Sequence, residues 1–160
     1  MRRFAWIAVV VLVFDQLTKY LAADYLARHG EIHLAPFLSF VLVHNTGAAF
    51  GFLSSAGGWQ NIFFIVVAMA ACVFILWMGR RLSTQDRLLA AGLMLVLGGA
   101  LGNLVDRLIH GYVIDFIDVY YGTWHWPAFN IADSAITIGA GMLLLDALGS
   151  NSGKRHISAK

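Results

Sequence analysis

Apolar residues gather into four long stretches, approximately Phe4 to Ala22, Asn61 to Met78, Leu88 to Val105, and Ile131 to Leu148. Crossing a hydrocarbon core takes roughly 20 helical residues. The pattern therefore predicts an all-α polytopic membrane protein with four spans. The first stretch follows Arg2 and Arg3 and ends in small residues, as a secretory signal does. Asp15 and Lys19 interrupt it, which suits a retained helix better than a cleaved one.

The links differ in character. EIHLAPFLSFVLVHNTGAAF, before the second span, is rich in Val, Phe and Leu with partial alternation, so part of it reads as strand. HGYVIDFIDVYYGTWHWPAF, before the fourth, is aromatic and reads as a segment lying at the membrane–water interface. The expected organisation is one membrane-embedded domain over residues 1–160, with disorder across residues 150–160.

Composition agrees with the spans. The 160 residues are 59% hydrophobic and only 12% charged, and mean hydropathy is +0.72. A water-soluble surface needs about a quarter charged residues, so lipid must cover most of the exterior. Net charge of +2 without an interleaved basic and aromatic patch gives no footprint for nucleic acid. The single cysteine, Cys72, sits in an apolar run and reads as a small buried hydrophobe. Arg2, Arg3, Arg80, Arg81, Arg87, Lys154, Arg155 and Lys160 all fall on one side of the four-span layout. The positive-inside rule then puts both termini and the central link in the cytoplasm, and the two longer links outside.

Depth makes the polar residues informative. At 1.5 Å per residue, Asp15 lies roughly 17 Å along the first helix from Phe4, in its outer half. Lys19 is one turn further out on the same face. Asn103, Asp106 and Arg107 reach the outer end of the third span. Asn130 and Asp133 occupy the start of the fourth, and Asp115 and Asp118 lie between. Each has a plainer reading: Asp15 with Lys19 as a neutralising pair, Asp106 with Arg107 as an interfacial pair, and Asn130 with Asp133 as a helix cap. Gly98 and Gly102 form a small-xxx-small pair suited to close helix packing. Capping does not require acids from several segments to converge at one depth.

Two such carboxylates can hydrolyse a peptide bond, one as general base toward water and one as general acid toward the leaving nitrogen. Helix-start N–H groups favour ionised Asp133, and an apolar setting favours protonated Asp115. Spacing alone does not choose between Asp115 and Asp118. Ser134 lacks a histidine at matching depth, and no HExxH spacing offers a metal site. A small ion-coupled transporter would need ionisable groups along a path to both faces. A non-enzymatic scaffold would not need two acids together.

Five blocks in one order carry a family resemblance: DQLTK at 15–19, VHNTGAAFGF at 43–52, GNLVDR at 102–107, GYVIDFIDV at 111–119 and PAFNIADSAI at 127–136. The chain resembles the lipoprotein signal peptidase (signal peptidase II) family over nearly its whole length. The resemblance implies an aspartyl endopeptidase with Asp115 and Asp133 as catalytic dyad. It implies Asn45, Asn103, Asp106, Arg107 and Asn130 lining the site, and Asp15 with Lys19 as a structural polar pair. It further implies a small extracytoplasmic sheet with a loop over the site, and no cofactor or metal. The implied substrates are diacylglyceryl-modified prolipoproteins, cut on the N-terminal side of the lipidated cysteine, at the bacterial cytoplasmic (inner) membrane among its lipids.

Overall fold

The computed structural model describes residues 2–47 and 59–155. A short 3-10 turn at Arg2–Phe4 leads into α1 (Ala5–His29), followed by strands β1 (Ile32–Ala35) and β2 (Leu38–Asn45). Helices α2 (Trp59–Gly79) and α3 (Arg87–Ile109) come next, then β3 (Val113–Tyr121), β4 (Trp124–His125) and α4 (Ile131–Arg155). Among the described residues, four helices are long and apolar enough to cross a membrane.

Helix α3 is the centre, packing against α1, α2 and α4. Small residues allow this. A Cβ at Gly98 would meet the Ala8 carbonyl oxygen at 2.8 Å, and one at Gly99 would meet the Ala132 carbonyl oxygen at 2.4 Å. The small-xxx-small reading of Gly98 and Gly102 thus holds, with α1 as the partner. The outward faces are bare hydrocarbon: Ile62, Val73 and Leu144 are 65%, 67% and 67% exposed. Only a lipid solvent makes that arrangement favourable.

The strands form one antiparallel sheet in the order β1-β2-β3-β4. They connect the end of α1 toward α2 and the end of α3 to α4, so the sheet lies at the opposite end of the bundle from Arg80, Arg81 and Arg87. The second link is therefore a central strand, not only an interfacial segment. Its first four residues, Val113 to Phe116, are all buried, so it lacks the alternation that marks a half-exposed strand. The expected loop over the site falls in residues 48–58, outside the described residues.

Two boundaries move furthest. Helix α1 runs seven residues past Ala22, with Arg28 paired to Asp24 one turn back. Helix α4 continues to Arg155, where disorder was expected from residue 150; adding a residue to a formed helix incurs no nucleation penalty. Residues 156–160 lie outside the described residues.

Candidate active site

Strand pairing brings distant residues together. Val43 is opposite Asp115 across β2 and β3, and Asn45 is opposite Val113. An extra β2 residue between Phe40 and Val43 makes a bulge there. Beyond β3, Phe129 pairs with Ile117, accepting N–H bonds from Phe116 and Ile117 at 3.1 and 2.9 Å. That bridge sets Asn130 and the start of α4 beside Asp115.

Asn130 and Asp133 form a reciprocal cap. Asn130 Oδ1 accepts the Asp133 N–H at 2.9 Å, and Asp133 Oδ2 accepts the Asn130 N–H at 3.3 Å. Asp15, from α1, accepts the Ala132 N–H at 2.8 Å. Three donors at the α4 start are thus satisfied by side chains.

The remaining carboxylate oxygens face asparagines. Asp115 accepts from Asn45 Nδ2 at 2.9 Å and Asn130 Nδ2 at 2.7 Å, and Asp133 Oδ1 accepts from Asn103 Nδ2 at 2.8 Å. Each amide has no choice of orientation. Its carbonyl end meets a group that can only donate: the Gly47 N–H for Asn45, the Asp133 N–H for Asn130, and the Lys19 ammonium for Asn103. The amino end must then turn to the acid.

Asp115 and Asp133 line one groove of about 560 Å³ with Asn45, Asn103 and Arg107. Its other walls are mainly apolar, with Phe64 from α2 and Ile138 from α4, beside Ser134 and Thr137. Arg107 donates to the Gly47 carbonyl at 3.2 Å and holds its guanidinium 5.0 Å from the Phe64 ring centre. Burial, and secondarily the nearby Asp133 charge, push the Asp115 carboxyl from 3.8 up to about 7; the two asparagine bonds oppose this.

Asp118 separates from this site. Side chains alternate along a strand, so residues three apart face opposite sides. Asp118 bonds His125 Nδ1 at 2.8 Å instead.

Two expected lining residues stand behind the groove. Asn130 is fully buried beneath Asp115, its amide consumed by the cap and by Asp115. Asp106 is 2% exposed and turns to Lys19 at 2.9 Å, not to Arg107. Consecutive helical residues point about 100° apart, which is why the two cannot both face the groove.

Lys19 also meets Asp15 at 2.9 Å, so the polar pair is a buried cluster of three charged groups. Gln16 was not singled out by sequence reading; it donates to Asp106 Oδ1 at 2.8 Å and to the Gly102 carbonyl at 3.1 Å. The available signal was an uncharged polar residue inside an apolar span. Ser134 donates its hydroxyl to the Asn130 carbonyl at 3.0 Å, as helical serines commonly do.

The sequence model of the signal peptidase (SPase) II family matches residues 7–149. The chain belongs to the signal peptidase II family. It is similar to a lipoprotein signal peptidase of Alteromonas mediterranea, 49% identical over 144 residues, covering 90% of this chain and 79% of the relative. One from Paraburkholderia phymatum is 51% identical over 142 residues, covering 89% and 85%. A solved bacterial membrane enzyme, determined by the in meso method at 2.3 Å, superposes with a TM-score of 0.83 and 31% identity, covering 96% of this chain and 92% of that one. The chain is accordingly a multi-pass membrane protease with a small antiparallel sheet.

Proposed function

We propose that this peptidase removes the signal peptide from diacylglyceryl-modified prolipoproteins, cutting on the N-terminal side of the lipidated cysteine, with Asp115 and Asp133 as catalytic dyad. The observation that carries the reading is the groove itself. Two carboxyl groups from different elements line it, each held by an asparagine whose amide cannot reverse.

Water between the acids gives a proton to Asp133 as its oxygen attacks the scissile carbonyl carbon. Asp115 gives its proton to the leaving nitrogen as the carbon–nitrogen bond breaks. The products are a carboxylic acid and an amine, and the dyad's single proton has moved from Asp115 to Asp133. The raised Asp115 supports its role as the acid. Asp133, in the first turn of α4, accepts the Asn130 N–H and the Asn103 amide and is the partner left to take the proton from water.

The apolar walls from Phe64 and Ile138 suit an acyl-bearing substrate and a signal helix entering from the bilayer. The cluster of Arg80, Arg81 and Arg87 at the other end of the bundle supports an extracytoplasmic sheet end.

The test is cleavage of a lipidated precursor by Asp115→Asn and Asp133→Asn, each shown to be folded, with Asp118→Asn as control. The first two lose turnover and the third keeps it. Near-normal turnover by either dyad variant overturns the assignment.

A further inference from the structure

Lys19 is 1% exposed and carries three N–H donors and no acceptor. It spends one on Asp15 Oδ2 at 2.9 Å, one on Asp106 Oδ2 at 2.9 Å, and one on Asn103 Oδ1 at 2.8 Å. The first two are charge neutralisation. The third goes to a neutral amide whose other end touches Asp133 at 2.8 Å.

That third contact has a consequence for the dyad. An asparagine amide has nearly the same shape in two orientations a half-turn apart, so its neighbours alone decide which one it takes. With Lys19 in place, the reversed one sets the amino group against an ammonium and the carbonyl oxygen against the Asp133 carboxylate. Both contacts repel. Without Lys19 the strongest repulsion is lost, leaving the one at Asp133 and a weaker one at the Asn130 amino group, which donates to Asn103 Oδ1 at a longer 3.2 Å. Stability alone is a weak reason to bury these charges, since apolar residues of similar volume often serve a core as well as a buried ion pair does.

We propose that Lys19 is a positioning residue for the peptidase reaction. Its ammonium locks the Asn103 amide so that Nδ2 donates to Asp133 and holds that carboxylate at one angle to water. The proposal rests on the reading of Asp133 as a dyad member. Lys19 itself does not line the groove, so its effect belongs in kcat and not in KM.

The experiment is a double-mutant cycle of Lys19→Met and Asn103→Ala, reading kcat, KM and thermal unfolding on purified protein in micelles with a lipidated precursor. Lys19→Met is expected to lower kcat about 10- to 100-fold, the scale of a small misplacement of a reacting group. KM stays within about twofold, the spread expected when substrate binding is untouched. In the Asn103→Ala background the same substitution changes kcat by less than about twofold, because the group it acts through is gone. Equal losses in both backgrounds, or an undiminished kcat in folded Lys19→Met, overturn the proposal.

Should Lys19→Met fail to fold, the cycle is repeated with Asp15→Asn and Asp106→Asn in all four members, removing the charges the ammonium neutralises. The same two outcomes decide. Asp133→Asn in the same assay separates the readings: normal turnover there defeats the dyad. An inactive Asp133→Asn with multiplying Lys19 and Asn103 losses defeats the positioning role alone.

Discussion

The proton on Asp115 can be followed directly. Asp115 is 1% exposed and its carboxyl is raised from 3.8 to about 7, with burial the larger cause and the charge of Asp133 the second. That displacement corresponds to about 4 kcal/mol of preference for the protonated form over the unfolded chain. The folded protein therefore holds a proton that the unfolded chain has lost between those two values. This group's contribution to stability is largest below 3.8, declines as pH rises, and levels off above about 7. The ranking of causes makes a sharper prediction. Asp133→Asn removes the second cause and leaves the first, so the Asp115 midpoint should fall below about 7 yet stay above 3.8. Carboxyl carbon shifts of selectively labelled aspartate, followed against pH in micelles and assigned by Asp115→Asn, give both midpoints. A wild-type midpoint near 4 refutes the burial argument. An unchanged midpoint in Asp133→Asn refutes the electrostatic coupling of the two acids.

Other outcomes follow from the same geometry. If Asp115 is the general acid, kcat/KM against pH should fall on the alkaline side with a midpoint of about 7; a rate still rising through pH 8 would remove it from that role. Gly102→Ala would place a Cβ 2.4 Å from Asp15 Oδ2, so the carboxylate that Lys19 and the Ala132 N–H hold there must shift. The expected cost is about 1–3 kcal/mol, read as a lowered unfolding temperature, and an unaltered one contradicts the close approach. Asn130→Ala deletes a helix cap and the Asp115 bond together. It should lose about 1 kcal/mol of stability from the cap and most of its turnover; loss of stability with full activity would make Asn130 a cap only. Turnover should be indifferent to a strong chelator, because the carboxyl pair supplies both proton transfers; inhibition reversed by added metal would contradict the mechanism.

How far the sequence could be read depended on whether a feature was local. The four spans were legible because membrane helices declare themselves by length and hydropathy alone. Strand β3 was not, since VIDFIDVYY begins with four buried residues and has no polar alternation to expose its period. That single gap produced the ambiguity between Asp115 and Asp118. Once the segment is a strand, a spacing of three puts the two acids on opposite faces. The asparagines were found as site residues by resemblance, but their orientations depend on Gly47, Lys19 and the α4 backbone, which no local pattern connects to them. Asp106 was expected in the lining by resemblance, with Arg107 as its partner in the plainer reading; the helix instead turns it toward α1 and Lys19.

Capping and chemistry at Asp133 look like competing explanations when only spacing is known. In the structure they divide the carboxylate between them. Oδ2 closes the cap on the Asn130 N–H, and Oδ1 accepts the Asn103 amide. The cap fixes the rotation of the group, and that rotation determines which oxygen is offered to water. Asp133→Glu separates the two requirements, because an added methylene still reaches a backbone N–H but moves the second oxygen. The helix start should survive, with an unfolding temperature close to that of the wild type. Turnover should fall by about 10²-fold or more, the expected penalty for a reacting group displaced by about 1 Å. Full activity in Asp133→Glu would mean that the angle set by the cap has no bearing on the reaction.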